Sequence, residues 1–183
     1  MEVSTTLLVA LMFVTLLSMG IGNAVNTLSV IVEKGNKSGY SRLVIGWLIL
    51  LLISYFNMFW HILDLLSIDK WGFIGFLYMM TGPILIYFAT SILIASHSDE
   101  EKKTSSVKPR FFIVFLLLQG WIITVDIMLE KNMIEHSLIN VILILISFIL
   151  MLKEDETIQR YGLIAGLGVV MLAMVLRSLG TLG

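Results

Sequence analysis

The chain of 183 residues contains no cysteine, only two prolines and only three histidines. Without cysteine, disulfide bonds, thiolate metal ligands and thiol nucleophiles are all excluded. Three histidines scattered along the chain do not make a zinc site by themselves. The sequence also lacks the H-E-x-x-H, G-x-S-x-G and P-loop motifs, and it has no histidine pair placed to hold a haem. These absences predict a protein that is not an enzyme, with no catalytic residues, no metal and no cofactor.

Charge is also scarce, because only 14% of the residues are charged while 58% are hydrophobic, and the mean hydropathy is +0.97. A soluble domain has roughly a quarter of its residues charged, so this composition predicts an integral membrane protein in contact with the lipid bilayer. The formal net charge of −1 and the absence of a basic face give no reason to expect a nucleic-acid partner.

Six apolar segments are long enough to cross about 30 Å of hydrocarbon as helices. They cover residues 5–32, 43–66, 72–96, 111–130, 134–152 and 161–181. The fifth is the shortest, and the first is interpreted as a retained span because its start lacks the basic region of a signal peptide. The predicted fold is an all-α transmembrane bundle of six spans in one domain, residues 1–183, with successive helices packed as antiparallel neighbours.

Basic residues are concentrated in alternate loops. The first, third and fifth loops hold nine of the twelve basic residues: Lys34, Lys37, Arg42, Lys102, Lys103, Lys108, Arg110, Lys153 and Arg160. Only Lys70, Lys131 and Arg177 lie on the other side. Since short basic loops stay in the cytoplasm, the sequence predicts a multi-pass plasma-membrane protein with both termini outside.

The second predicted span contains polar residues in the stretch NMFWHILDLL. Asn57, His61 and Asp64 are spaced i, i+4, i+7, so they share one helix face near the outer end of the span. The fourth span has Gln119 and Asp126, also seven residues apart, and the two pairs are offset by the same 62 residues. This shared spacing raises the hypothesis of a duplicated hairpin.

The sixth span brings Arg177 to a similar outer depth, which leaves two interpretations of this outer cluster open. In one, Arg177 neutralises Asp64, Asp126 or both and braces the second, fourth and sixth helices. In the other, the carboxylates and His61 line a water-filled vestibule that binds a cation or relays protons. The candidate ligand or ion residues are therefore Asn57, His61, Asp64, Gln119, Asp126 and Arg177.

A second polar group lies in the inner half of the first span, at Asn23, Asn26 and Thr27. The last span carries a small-xxx-small pattern at Gly162 and Gly166, and small residues allow membrane helices to approach closely. We expect these features to pack the first and last helices together. A broken helix with a substrate site is the alternative, but it would need stronger helix breaks than these glycines.

Aromatic and proline residues give further expectations. Trp60 and Trp71 near the outer boundary fit an interfacial aromatic belt, as do Tyr40, Trp47 and Tyr161 near the inner one. Pro83 lies in the middle of the third span, where it should kink the helix near Gly82. A kink of this kind can be a hinge, but more often it only shapes the packing.

Residues 54–94 carry a polar residue before a tryptophan-containing helix end, a W-x-F turn and a G-P-I-L kink before a tyrosine. The positions are Asn57, Trp60, Trp71, Phe73, Gly82, Pro83 and Tyr87. This segment resembles a loose group of uncharacterised bacterial membrane proteins, although His61 stands where that group often has a second tryptophan. The resemblance covers two helices, implies a six-helix bundle in a bacterial inner membrane, and implies no activity.

Two classes of function fit these features. One is a small ion or solute channel or transporter that uses the outer acidic and histidine vestibule. The other is a non-catalytic membrane protein that binds a protein, a lipid or a small ligand, with a homo-oligomer or a membrane protein as the partner. A pathway needs polar residues across the midplane, and the only candidates are Thr15, Ser18, Thr81 and Ser147. This scarcity favours a closed bundle with a binding role.

Overall fold

The computed structural model describes residues 5–34, 41–60, 71–98, 106–128, 133–153 and 155–180. These residues form six α-helices, which confirms the all-α prediction. The helices are α1 (Thr5–Lys34), α2 (Arg42–Trp60), α3 (Phe73–Ser98), α4 (Pro109–Met128), α5 (Met133–Leu152) and α6 (Glu156–Gly180). The predicted second span continued to residue 66, and its last six residues lie outside the described part of the chain.

Four of the six helices are long and apolar enough to cross a membrane, as judged by length and composition among the described residues. These four stretches are Thr5–Lys34, Arg42–Phe59, Phe73–Ala95 and Pro109–Met128. In α5 the apolar stretch is the shorter Ile139–Leu152, and α6 is not one of the four. The structure therefore supports a membrane protein with transmembrane helices.

Local sequence explains where several helices begin. Ser41 precedes α2, and its Oγ accepts a hydrogen bond from the Val44 amide at 3.3 Å. Pro109 occupies the first position of α4, where its missing N–H would be unpaired in any residue. Asp155 caps α6 with Oδ1, which accepts hydrogen bonds from the amides of Ile158 at 3.3 Å and Thr157 at 2.7 Å. These bonds hold the pKa of Asp155 below its ordinary value of 3.8.

The helices are arranged as a ring with one helix outside it. Among the described residues, α2, α3, α4, α5 and α6 each contact the next, and α6 returns to α2. Helix α1 packs against α2 and α3. Successive helices are thus neighbours, as predicted. The end of the ring at which α2, α4 and α6 begin is called the basic end below, because the three lysine- and arginine-rich loops join the helices there.

An aromatic cluster fills the ring at the basic end. Trp47 of α2 packs edge-on against three rings of α4, with centroid distances of 5.3 Å to Phe111, 5.4 Å to Phe112 and 5.9 Å to Phe115. All four side chains are fully buried. The expectation that Trp47 belongs to an interfacial belt is therefore wrong, since the phenylalanines of α4 enclose the indole. Tyr161, by contrast, is exposed.

Helices α1, α2 and α3 meet at Tyr55, which is fully buried. Its ring lies against Gly20 of α1, where an added Cβ would be 2.5 Å from Tyr55 Cε1. Its hydroxyl lies 3.1 Å from Thr90 Oγ1 on α3, and Thr90 Oγ1 donates to Ile86 O at 2.9 Å. Because a threonine hydroxyl carries one proton, Tyr55 must donate to Thr90. One side chain thus joins three helices.

Helices α3 and α4 approach closely at Gly82. A Cβ there would lie 2.7 Å from Trp121 Cε3, so glycine leaves room for the indole. Trp121 Nε1 donates to Tyr78 O at 2.8 Å, and the hydroxyls of Tyr78 and Thr124 are hydrogen-bonded to each other. Pro83 lies inside the continuous helix α3. The predicted kink at this proline is untested.

At the basic end, the fully buried side chain of Gln159 joins α6 to the segment before α4. Its Oε1 accepts from the Val107 amide at 2.7 Å, and its Nε2 donates to Val107 O at 2.9 Å. The side-chain amide pairs with the backbone just before α4 as a neighbouring strand would. Because α4 and α6 are not neighbours in the described ring, this pair links helices that are otherwise separated by α5.

The expected packing of the first helix against the last is wrong for the described residues, because α1 and α6 do not contact each other. The small residues of α6 instead pack against leucine side chains of the two helices beside it, α5 and α2. A Cβ on Gly162 would lie 2.7 Å from Leu150 Cδ2 of α5, and one on Gly166 would lie 3.3 Å from Leu50 Cδ1 of α2. The close approach therefore joins α6 to α5 and α2.

Large apolar side chains also cover the outside of the bundle. Exposed examples occur on every helix and include Leu11, Phe56, Ile74, Leu117, Leu145 and Ile164. An apolar outer surface of this extent is compatible with contact to lipid and unusual for a monomer in water.

Candidate functional site

Two buried polar side chains of α4 carry acceptor atoms without a hydrogen-bond partner. Gln119 is 3% exposed and Asp126 is 2% exposed. Gln119 Oε1 and Asp126 Oδ2 have no partner in the part of the chain that the structure describes. Buried polar groups are paired in the great majority of cases, so two unpaired oxygens on one helix are an unusual arrangement.

Both side chains point to the same side of α4 as the aromatic cluster. At about 100° per residue, positions 112, 115, 119 and 126 fall within an arc of roughly 60°. Phe112 and Phe115 contact Trp47 inside the ring, so this arc borders the ring interior. Gln119 lies about 10 Å along the axis from Asp126, at 1.5 Å per residue, and it is the nearer of the two to the aromatic cluster.

The electrostatic surroundings of Asp126 favour a positive ligand. The residue lies in the last turn of α4, where the unpaired carbonyls of a helix give a negative partial charge. No basic residue lies in that turn. The other buried polar side chains among the described residues are neutral: Thr6, Thr27, Thr90, Gln119, Ser147 and Gln159. An anionic Asp126 therefore has no described cation to offset it.

The remaining outer candidates are only partly described. Asn57 is half-buried in α2, between the exposed Phe56 and the buried Met58. His61 and Asp64 lie outside the described residues. The backbone of Arg177 belongs to α6, but its side chain lies outside the described part. The choice between a brace by Arg177 and a vestibule therefore stays a prediction.

The inner polar residues of α1 do not form one buried cluster. Thr27 is buried, and its Oγ1 donates to Asn23 O at 2.9 Å, within the same helix. Asn23 is half-buried and Asn26 is exposed. Their predicted role was to join α1 to α6, and that contact is absent from the described bundle. These residues carry no candidate site.

The candidate midplane residues do not line a polar path. Thr15 Oγ1 donates to Leu11 O at 2.8 Å, Thr81 Oγ1 to Leu77 O at 3.0 Å and Ser147 Oγ to Leu143 O at 2.7 Å. Each hydroxyl proton is thus used within its own helix, and Thr15 and Thr81 are exposed on the outside. Ser18 is exposed as well.

Sequence reasoning missed two polar groups. The predicted spans leave Gln159 in the loop between the fifth and the sixth span, yet its amide is buried against Val107. The indole Nε1 of Trp47 is buried without a partner among the described residues. In an interfacial belt, by contrast, this N–H would be in contact with water. No signal in the sequence distinguishes these positions, since their burial depends on which helices become neighbours.

The structure brings no three histidine or carboxylate side chains together as a metal site, among the residues it describes. No protein family, curated protein or solved structure matches the chain. The arrangement at Asp126 and Gln119 is accordingly interpreted from its own chemistry. It offers two buried acceptors, one of them a carboxylate, on the arc of α4 that also carries Phe112 and Phe115.

Proposed function

We propose that this chain is a non-catalytic integral membrane protein whose six-helix bundle binds a small cationic ligand at Asp126 and Gln119. The observation that carries this proposal is the buried, unpartnered Oδ2 of Asp126. An ionised carboxylate away from water costs several kcal/mol unless a positive charge or several hydrogen-bond donors compensate it. A bound cation supplies that compensation and also offsets the negative end of α4.

A binding function is favoured over ion or solute conduction because side chains fill the interior of the helix ring. Trp47, Phe111, Phe112 and Phe115 occupy the interior toward the basic end, and all four are buried. A water or ion pathway would need polar groups connected across the midplane. The candidate hydroxyls of Thr15, Thr81 and Ser147 instead bond within their own helices. A channel or transporter that uses the outer vestibule remains the second candidate, and it would require the aromatic cluster to move.

We further propose that all six helices span the membrane, that both termini lie outside, and that the membrane is a bacterial inner membrane. The distribution of nine basic residues over alternate loops supports the orientation. On this topology the basic end faces the cytoplasm and Asp126 lies near the outer surface. The ligand would therefore enter from the outer side of the membrane, or it would be delivered by a homo-oligomeric or membrane protein partner.

Cysteine labelling tests this orientation cleanly, because the natural chain has no cysteine. Gly72 and Lys153 are both exposed, and they lie at opposite ends of the bundle. In intact cells we expect Gly72→Cys to react with a membrane-impermeant maleimide, and Lys153→Cys to react only after permeabilisation. The opposite labelling pattern would overturn the proposed topology.

Carbodiimide labelling tests the binding site. Dicyclohexylcarbodiimide is apolar and reacts with carboxyl groups in surroundings of low dielectric constant. We expect it to modify Asp126 in membranes, as measured by mass spectrometry of the α4 peptide. The exposed Asp155, which caps α6 in water, is the internal control and should be modified far less.

A cationic ligand should protect Asp126 in the same experiment, because the bound positive group covers the carboxylate. Sodium, potassium and alkylammonium ions are the probes, each added at increasing concentration before the reagent. The proposed function fails if Asp126 is not modified, or if none of these cations reduces the modification.

A further inference from the structure

We propose that the ligand is an elongated organic monocation, with an ammonium group at Asp126 and a hydrogen-bond donor about two helical turns away at Gln119. This inference rests on the proposed binding function and specifies its ligand. It follows from the charge of the site, from the separation of its two acceptors and from the apolar surface between them.

The charge of the site matches a single positive charge. Asp126 is the one carboxylate among the buried side chains that the structure describes. A divalent metal ion requires several carboxylate or carbonyl ligands, and no group of three metal-binding side chains occurs in the described part. An ammonium ion needs only one carboxylate and donates the hydrogen bonds that Oδ2 lacks.

The separation of the acceptors requires length. Gln119 and Asp126 are seven residues apart on one face, which corresponds to roughly 10 Å along the helix axis. A bare ion or a methylammonium ion at Asp126 would leave Gln119 Oε1 without a partner. A chain of about six methylene groups between two donors fits the two-turn separation, so one ligand can satisfy both oxygens.

The surface between the two acceptors is apolar. Ile122 lies between them along α4, about 20° outside the edge of the arc that carries them, and it is partly buried against the hydrophobic core. Beyond Gln119 the same arc continues with Phe115 and Phe112, which close the ring together with Trp47. A ligand body of methylene groups suits this surface, whereas a polar body would lose its hydration without a partner.

A series of small ligands separates these requirements. The probe is 6-aminohexan-1-ol, which carries one ammonium group and one hydroxyl group. Hexylamine lacks the hydroxyl, hexane-1,6-diol lacks the charge, and 2-aminoethanol is too short to reach both acceptors. Dissociation constants are measured by calorimetry on the full chain in lipid nanodiscs, with protection of Asp126 from carbodiimide as a second readout.

In the natural chain we expect 6-aminohexan-1-ol to bind about three- to tenfold more tightly than hexylamine, the value of one neutral hydrogen bond. Hexane-1,6-diol and 2-aminoethanol should bind at least about tenfold more weakly than the probe, because each lacks a required feature. Asp126→Asn should weaken the probe about tenfold or more by removing the charge.

Gln119→Leu provides a second test, which remains valid if the Asp126→Asn variant does not fold. The Gln119→Leu variant should bind 6-aminohexan-1-ol and hexylamine equally, while its affinity for hexylamine stays that of the natural chain. Thr27→Val is the matched control, because Thr27 is buried and bonds only within α1 according to the described contacts, and it should leave all affinities unchanged.

The outcomes distinguish this inference from the proposed function beneath it. Protection of Asp126 by sodium or potassium but by no amine would overturn the organic cation and leave the binding function standing. Equal binding of 6-aminohexan-1-ol and hexylamine to the natural chain would overturn the contact with Gln119. Absence of protection by any cation would overturn both.

Discussion

Replacing Gly20 by alanine should destabilise the bundle by about 3 kcal/mol, the upper range for overpacking a filled interior. The added Cβ would lie 2.5 Å from Tyr55 Cε1 and closer still to the phenolic end of the ring. Tyr55 cannot swing away freely, because it is fully buried and its hydroxyl is hydrogen-bonded to Thr90 on α3. The measurement is the thermal or denaturant unfolding of the purified protein in detergent.

Gly22→Ala is the matched control for this variant. It adds the same methyl group two residues further along α1, where no atom of a neighbouring helix in the described part of the chain lies within 4 Å of the new Cβ. We expect its stability to equal that of the natural chain or to rise slightly, because alanine favours helix. A second substitution, Tyr55→Leu, should recover part of the loss in Gly20→Ala by removing the ring. Equal stability of Gly20→Ala and Gly22→Ala would contradict the close contact of α1 with α2.

Replacing Trp47 by alanine should cost about 3 kcal/mol or more of unfolding free energy. The substitution removes an indole that three phenylalanine rings of α4 contact at 5.3, 5.4 and 5.9 Å between centroids. The surrounding helices can collapse into the space only partly, so a cavity remains at the basic end. In lipid the gain from leaving water is smaller than in a soluble core, and lost packing contacts account for most of the effect.

Phe56→Ala provides the comparison, because Phe56 lies on the same helix and is 55% exposed on the outside of the bundle. It should change the unfolding free energy by less than about 1 kcal/mol, since lipid or detergent replaces its contacts. Trp47→Phe should lower the unfolding free energy by an intermediate amount. Loss of Nε1 should add no further cost, because this atom has no described partner. Similar unfolding of Trp47→Ala and Phe56→Ala would argue against an aromatic core at this end.

Helix type and approximate helix bounds could be predicted from the sequence because they depend on local properties. Long apolar segments must satisfy their backbone hydrogen bonds internally, so they form helices wherever they meet lipid. Charged and turn-forming residues interrupt them, and the structural bounds differ from the predicted ones by a few residues at most sites. Leaving aside the end of the second span, whose last six residues lie outside the described part, the largest difference is at α6. This helix begins at Glu156 rather than 161, because Asp155 caps it through its side chain.

The candidate site could be predicted only in part. Gln119 and Asp126 stand out in an apolar segment, and their spacing already places them on one helix face. Their burial without partners, and the aromatic residues beside them, depend on the position of α2 in the ring. The predicted contact of α1 with α6 was wrong because several helices carry small residues. The spacing of Gly162 and Gly166 does not determine which helix packs against them, and in the structure these helices are α5 and α2.

The sequence by itself thus determined that this protein is helical, apolar and suited to a membrane, because hydropathy and backbone hydrogen bonding act within each segment. The tertiary structure alone decided that α1 lies outside the ring, that Trp47 is enclosed by α4, and that Gln159 fastens Val107. The physical reason is that lipid and bundle interior are equally apolar, so polarity does not mark the inward face of a membrane helix. Shape decides instead, through pairs such as Gly20 with Tyr55 that only assembled helices reveal.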